Sequence, residues 1–237
     1  MTIRRLLPVL ALGLLLAHGP AAARTAGDPL EPLNRAVFHL NLAAYDYVLA
    51  PAARYYRAAT TAEERRSVAN LVTNLRAPVV MANQLLQGQG QAARVTLARF
   101  AINSTLGLLG LFDPATQWGY PVQPAEDFGQ TLAHYGVPSG PYLVLPLVGP
   151  CNLRDAVGRA ADYLALGSYL DTDGVYAVMG AAAVSEAEPT LEADAASRAA
   201  ALDLYAAARS AYAQSRDDAI RNGAPLDDPA YEELFRE

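Results

Sequence analysis

The sequence predicts an all-α fold: one mostly helical domain of amphipathic helices, interrupted by a Pro/Gly-rich apolar segment, with at most one short strand or hairpin. Three observations predict it. Helix-start signals recur, as Asp28-Pro29-Leu30-Glu31 and Thr61-Ala62-Glu63-Glu64. Apolar residues follow them at three- and four-residue steps. Between Asp127 and Asp155, Pro138, Pro141, Pro146 and Pro150 forbid a continuous helix. Yet Tyr142, Leu143, Val144, Leu145, Leu147 and Val148 make the same segment too apolar for a loop in water.

Composition narrows the class. The 237 residues suffice for one sizeable domain. They are 52% hydrophobic and only 18% charged, below the ~25% of an average soluble domain. All 18 cationic side chains are arginine, a codon-bias signature rather than a site. Net charge is −6 with no basic run, so nucleic acid is not an expected partner. The single cysteine, Cys151, excludes an intrachain disulfide and a cysteine-cluster metal site. No zinc-protease, nucleophile-elbow or phosphate-loop motif occurs.

Residues 1–23 read as a cleavable secretory signal. Arg4 and Arg5 precede an apolar run, Leu6 to Ala17, and Ala21-Ala22-Ala23 offers the cleavage site. The run is too short to span a bilayer. With no cysteine near the cleavage site, the sequence predicts an exported protein that is not a lipoprotein, beginning near Arg24.

The first mature helix starts with Asp28 as N-cap, carries Leu33, Val37, Leu40 and Ala44 on one stripe, and ends at Pro51. A second starts at Thr61 and carries Val68, Leu71, Val72 and Leu75, with Asn70 and Asn74 on another face. Pro78 ends it and opens a third, to Gln87. Over 92–112 the pattern predicts one helix with a narrow stripe of Ala92, Thr96, Arg99, Asn103, Gly107 and Gly110. The rest of its circumference is apolar, Phe100, Leu106, Leu108 and Leu109 included. A surface helix in water has the reverse balance, so this one is either buried with Arg99 paired, or faces lipid on its wide side. Asp113-Pro114 opens a turn or short helix and 117–126 is loop. Asp127 to Tyr135 makes one or two helical turns stopped by a left-handed Gly136. Residues 141–148 are the strand candidate. Asn152 caps the next helix, through Leu164. A short helix over 172–183 and a long one over 191–222 follow, the latter stopped by Gly223 and carrying Leu202, Tyr205, Arg209, Tyr212 and Arg216. Residues 224–237 are an acidic, flexible tail.

Catalytic and metal readings are weak. His134 lies between Asp127 and Asp155 in sequence, but no serine or cysteine in a nucleophile context accompanies it, so a hydrogen-bonded structural histidine is expected. Asp171-Thr172-Asp173-Gly174 begins like a calcium loop, but Ala182 stands where its closing glutamate belongs. No metal, cofactor or enzymatic activity is expected.

Four stretches resemble the MlaA/VacJ family of Gram-negative outer-membrane proteins: 28–41 (DPLEPLNRAVFHLN), 74–88 (NLRAPVVMANQLLQG), 99–115 (RFAINSTLGLLGLFDPA) and 127–158, from DFGQTLAHYGVPSGPY through LRDAVG. The likeness covers about 28–223 in one order. It implies a ring-like helical domain over 24–223, embedded in the outer membrane. It implies removal of mislocalised phospholipid from the outer leaflet through an amphipathic channel, passed to a periplasmic lipid-carrier protein. It also implies association with a trimeric porin. Set on this sequence, Thr96, Arg99, Asn103, Gly107, Tyr135, Gly136, Gly140 and Tyr142 become the expected lipid pathway. Phe100, Leu106, Leu108 and Leu109 become the expected membrane face. The competing reading is a soluble periplasmic helical module that binds lipid or protein, with the Pro-rich segment as its groove.

Overall fold

The computed structural model describes residues 28–222, the side chains of 188–197 and 199–200 apart. The expected signal (1–23), the tail (224–237) and the Gly223 stop lie outside the described residues. In chain order the elements are α1 Glu31–Ala44, a π-helical turn Tyr45–Leu49, α2 Ala50–Ala59, α3 Ala62–Leu86, α4 Gly90–Thr105, α5 Pro114–Gln117 and α6 Phe128–His134. There follow β1 Tyr142–Leu145, β2 Gly149–Asn152, α7 Leu153–Leu166, α8 Thr172–Ala200 and α9 Leu204–Ile220. The expected mostly helical domain with one hairpin is what folds.

Local caps explain most starts. Thr61 Oγ1 accepts from the Glu64 N–H at 3.2 Å while the Glu64 carboxylate accepts from the Thr61 N–H at 2.7 Å, the reciprocal capping box. Asp113, Asp127, Asn152 and Asp203 cap α5, α6, α7 and α9 through the N–H three residues on.

Five expectations are corrected, four of them by a contact with a residue distant in the chain. Asp28 does not cap α1, which starts at Glu31. Its carboxylate accepts from the Asn34 amide (3.1 Å) and from the Tyr205 hydroxyl. Pro51 does not end the first helix. The Ala50 N–H reaches back five residues to the Tyr45 carbonyl, and this widened turn admits the proline in the first turn of α2. Pro78 sits inside α3, and the Leu75 carbonyl in the turn that it disturbs accepts from the Tyr169 hydroxyl at 2.7 Å. The striped helix stops at Thr105, not 112. Leu108, Leu109 and Gly110 take left-handed backbone angles (φ 52°, 60° and 98°), and the Asn74 amide holds that turn by donating to the Leu109 carbonyl at 3.1 Å. The last two helices divide at 201–203 because Asp203 both caps α9 and receives Arg35 at 3.1 and 2.7 Å.

Two small apolar clusters tie the elements. Phe38, Val144 and Tyr205 join α1, β1 and α9. Val72, Leu166 and Val178 join α3, α7 and α8. Each fully buried side chain of this size contributes about 1.5–3 kcal/mol. The hairpin pairs Tyr142 with Asn152 and Leu145 with Gly149. The β2 strand, Gly-Pro-Cys-Asn, lacks every compositional mark of a strand, and its proline is tolerated because the hairpin has two edges. Along the free side of β1, α1 supplies amides in place of a third strand. Asn34 donates to the Tyr142 carbonyl (3.0 Å) and accepts from the Val144 N–H (2.9 Å). Two turns later Asn41 donates to the Leu145 carbonyl and accepts from the Leu147 N–H, both at 2.8 Å.

The distribution of polarity is inverted. Asn34 (2% exposed) faces inward from α1 while Leu33 (61%) and Leu40 (56%), on the predicted apolar stripe, face out. Among the described residues, more polar and charged side chains than apolar ones are buried. In water-soluble domains buried polar groups are the minority.

Candidate functional site

The predicted stripe of α4 packs on α3. Thr96 and Asn103 are buried, and Thr96 Oγ1 donates to the Gln84 side-chain oxygen at 2.8 Å. Arg99 is saturated by the segment after α4. It donates to Asp113 (2.8 Å), the Thr116 hydroxyl (2.9 Å) and the Tyr120 carbonyl (2.6 Å). Asn103 donates to the same Asp113 carboxylate at 2.9 Å and accepts from the Ala115 N–H at 3.1 Å. Burial pushes the Asp113 carboxyl up, but the hydrogen bonds from Thr116, Arg99 and Asn103 outweigh it and hold it at about 2. Arg99 and Asn103 directly, and Thr96 through Gln84, whose amide donates to the Pro124 carbonyl at 3.3 Å, therefore fasten the 113–125 loop over a cleft between α3 and α4. With its open mouth the cleft measures about 570 Å³, and Asn70, Asn74, Val80 and Val122 also line it. Phe100, expected on the membrane face, lines this cleft too. Gly107 is packed: a Cβ there would meet the Phe112 carbonyl oxygen at 2.4 Å.

Leu106, Leu108, Leu109 and Phe112 project from the turn after α4 at 60%, 60%, 67% and 56% exposure. Two adjacent leucines in left-handed conformation are strained by roughly 1–2 kcal/mol each. The fold holds this apolar tip outward at that cost.

Across the molecule, the Pro/Gly segment leaves α6 through Tyr135, whose hydroxyl donates to the Leu86 carbonyl at 2.6 Å. Gly136 (φ 79°) faces open space, whereas a Cβ on Gly140 (φ 67°) would press on Leu153 at 3.1 Å. The segment folds over a cleft of about 390 Å³ lined by Leu132, Val137, Pro138, Leu153, Val157 and Arg154. Arg154 is 8% exposed and donates to Asp155 (3.1 Å) and the Val137 carbonyl (3.3 Å). Tyr142 stacks edge-on with Tyr205, ring centroids 6.1 Å apart, and lies 5.9 Å from Tyr212.

Helix α9 closes this side with one face: Tyr205, Arg209, Tyr212 and Arg216. Arg216 grips Asp127 with two parallel bonds (2.6 and 2.7 Å) and donates to Asp155 at 3.0 Å, to which the Tyr212 hydroxyl also donates. Burial pushes the Asp127 carboxyl up, yet Arg216 outweighs it and holds it below the ordinary range. The clamp fits because α6 and α7 touch at two glycines. A Cβ on Gly158 would lie 2.3 Å from the Gly129 nitrogen, and one on Gly129 would lie 2.5 Å from the Arg216 guanidinium. The local Arg154–Asp155 pair is legible in the sequence and forms, but the roles of Gly129, Gly158 and the shared grip of Arg216 on Asp127 and Asp155 are absent from the sequence reading. The only local signal is a glycine at the inward position of each helix.

His134 is exposed, edge-on to Tyr135 at 5.2 Å, and has no hydrogen bond among the described residues; the expected structural hydrogen bond is not formed. Asp171 accepts from the Gly174 N–H at 2.7 Å, so the loop that begins like a calcium site is a turn opening α8. No group of three or more metal-ligating side chains occurs among the described residues, and no described helix is long and apolar enough to cross a membrane.

Comparison with known proteins gives this geometry its relatives. A family model, the MlaA lipoprotein, matches residues 26–219. The chain is 39% identical over 165 residues to the intermembrane phospholipid transport system lipoprotein MlaA of Shigella flexneri, covering 67% of this chain and 66% of that protein. It is 39% identical over 163 residues to the protein of that name from Escherichia coli strain K12, covering 66% and 65%. The matched region thus spans about two thirds of those relatives' length. A solved structure from work on the structural basis for maintenance of bacterial outer membrane lipid asymmetry aligns with a TM-score of 0.75 and 32% identity. It covers 82% of this chain and 100% of that one. These relatives are named lipoproteins, against the expectation drawn from the leader; the one cysteine in the sequence, Cys151, is fully buried in β2. By the span of the family match and the agreement of fold, this chain belongs to the MlaA lipoprotein family.

Proposed function

We propose that this protein is the outer-membrane component of an intermembrane phospholipid transport system. It takes mislocalised phospholipid from the outer leaflet and passes it along an amphipathic channel to a periplasmic lipid-carrier protein, beside a trimeric porin. No bond chemistry is part of this role.

The observation that carries the reading is the inverted polarity: amides, carboxylates and arginines inside, and Leu33, Leu40, Tyr47, Leu86, Leu97 and Leu109 outside. Lipid solvates the exterior, and a polar interior carries the headgroup. The channel wall in this reading is the Pro/Gly segment with Tyr135, Gly136, Gly140 and Tyr142. Thr96, Arg99 and Asn103, with Gly107 packed behind them, serve it by fixing the loop over the second cleft. Leu106, Leu108 and Leu109 anchor the protein in acyl chains. A soluble periplasmic module is disfavoured by that many exposed large apolar side chains.

Fractionation and surface-lipid assay test it together. The protein is expected to stay with outer membranes through a high-salt wash, and its loss to raise surface-exposed phospholipid and detergent sensitivity. Release by salt with unchanged surface phospholipid overturns the proposal.

A further inference from the structure

We infer that Arg209 and Tyr142 form a phosphodiester-binding subsite, the point at which the path recognises the charged part of a lipid. The inference rests on the transport reading above.

Arg209 is half-buried on α9. It lies over the face of Tyr142, with the guanidinium carbon 5.6 Å from the ring centroid, and is near enough to the Asp28 carboxylate to help hold that acid low. It makes no hydrogen bond or ion pair among the described residues. Its half-buried or buried counterparts differ: Arg99 has Asp113, Arg154 has Asp155, and Arg216 has two carboxylates. A half-buried arginine with no hydrogen-bonded acceptor has its fork open to an anion.

Tyr142 supplies the second half. Its hydroxyl is buried and has no hydrogen-bond partner. The neighbouring phenols Tyr205 and Tyr212 donate to Asp28 and Asp155, and neither is hydrogen-bonded to it. Those two carboxylates are themselves occupied, Asp28 by Asn34 and the Leu30 N–H, Asp155 by Arg154, Asn152 and Arg216. Burial pushes the Tyr142 hydroxyl up to about 12, which keeps it a proton donor at any physiological pH. A buried donor without an acceptor is costly, and an anion bridging it and Arg209 satisfies both groups at once.

The chemistry selects the ligand class. The planar fork of Arg209 takes two oxygens of one phosphate, and the phenol donates to a third acceptor. Pro141, adjacent to Tyr142 in the chain, lines the apolar cleft with Leu132, Val137 and Leu153. A diester with hydrocarbon attached fits this combination better than a free anion does.

The test uses the purified full chain in detergent and compares phosphatidylglycerol with diacylglycerol of the same acyl chains. Wild type is expected to prefer the phosphatidyl lipid by about tenfold or more, the scale of one charge-assisted bidentate contact. Arg209→Gln removes that preference but not diacylglycerol binding, Arg209→Lys keeps part of it, and Tyr142→Phe lowers it several-fold. Thermal unfolding of Arg209→Gln matching wild type shows that a ligand contact, not the fold, was lost. Equal preference in wild type and Arg209→Gln overturns the subsite while leaving transport intact. Binding of neither lipid by wild type overturns the transport reading itself. Displacement of the lipid by an equal concentration of inorganic phosphate overturns the diester assignment in favour of the free anion.

Discussion

Arg216 and Arg209 stand two turns apart on one face of α9 and have opposite surroundings. Arg216 is shared by two carboxylates on two other helices; Arg209 lies over a tyrosine ring, with the Asp28 carboxylate near enough to feel its charge but not bonded to it. The same residue type on the same helix face is a structural bolt in one place and an open valence in the other. Residue type and helical spacing alone do not separate them. The count of acceptors within reach does. By that criterion Arg99, the arginine the sequence pattern singles out, belongs with Arg216.

The largest effect that would break this contrast is at the bolt. Arg216→Ala leaves Asp127 without its cation and Asp155 with Arg154 alone. It should destabilise the protein by about 3–5 kcal/mol, read as a fall in the midpoint of denaturant unfolding; a loss below about 1 kcal/mol would make the clamp incidental.

The same contrast recurs among the acids. Asp127 is held low by its arginine, so its contribution is present above the ordinary carboxylate range and is lost as pH falls through its lowered value. Asp162 has the Phe128 N–H (3.0 Å) and the Asn83 amide (3.0 Å) but no cation at contact, and burial pushes it up to about 6. Its ionisation opposes folding, so wild type gives up stability as pH rises from about 4 through 6. In Asp162→Asn that loss is absent. Between pH 4.5 and 7.5 the stability difference should move toward the variant by about 2 kcal/mol, and parallel pH profiles would contradict the assignment.

The smallest effect sharpens the other side of the comparison. Arg209→Gln removes no hydrogen bond within the protein, only the contact with the Tyr142 ring and an unbonded attraction to Asp28, so its unfolding free energy should stay within about 1 kcal/mol of wild type. A loss of 2 kcal/mol or more would mean that Arg209 is structural after all.

Where an element is decided by its own residues, the sequence is a sufficient guide. The Thr61 capping box, the Asp113, Asp127 and Asn152 caps and the left-handed Gly136 all form as the local pattern predicts. Reading fails where a distant partner decides. Asp203 breaks the last two helices because Arg35 holds it. Pro51 passes because a π-helical turn precedes it, and β2 forms from Gly-Pro-Cys-Asn because β1 is there to pair with. The site divides in the same way. The stripe of Thr96, Arg99 and Asn103 is legible as a polar face, but not that Asp113 closes it. Tyr205, Arg209, Tyr212 and Arg216 are legible as a period. Which of them is free depends on carboxylates 57 to 177 residues away in the chain.

The two asparagines of α1 have a consequence for the company this protein keeps before it reaches its place. A lone β-hairpin presents a row of vacant backbone groups, a template on which any extended chain can add itself. Here Asn34 and Asn41 occupy that row, one donor and one acceptor each. No stranger can find a register on β1 without first displacing α1. On that edge, a greasy-skinned protein in transit offers no template for cross-β association.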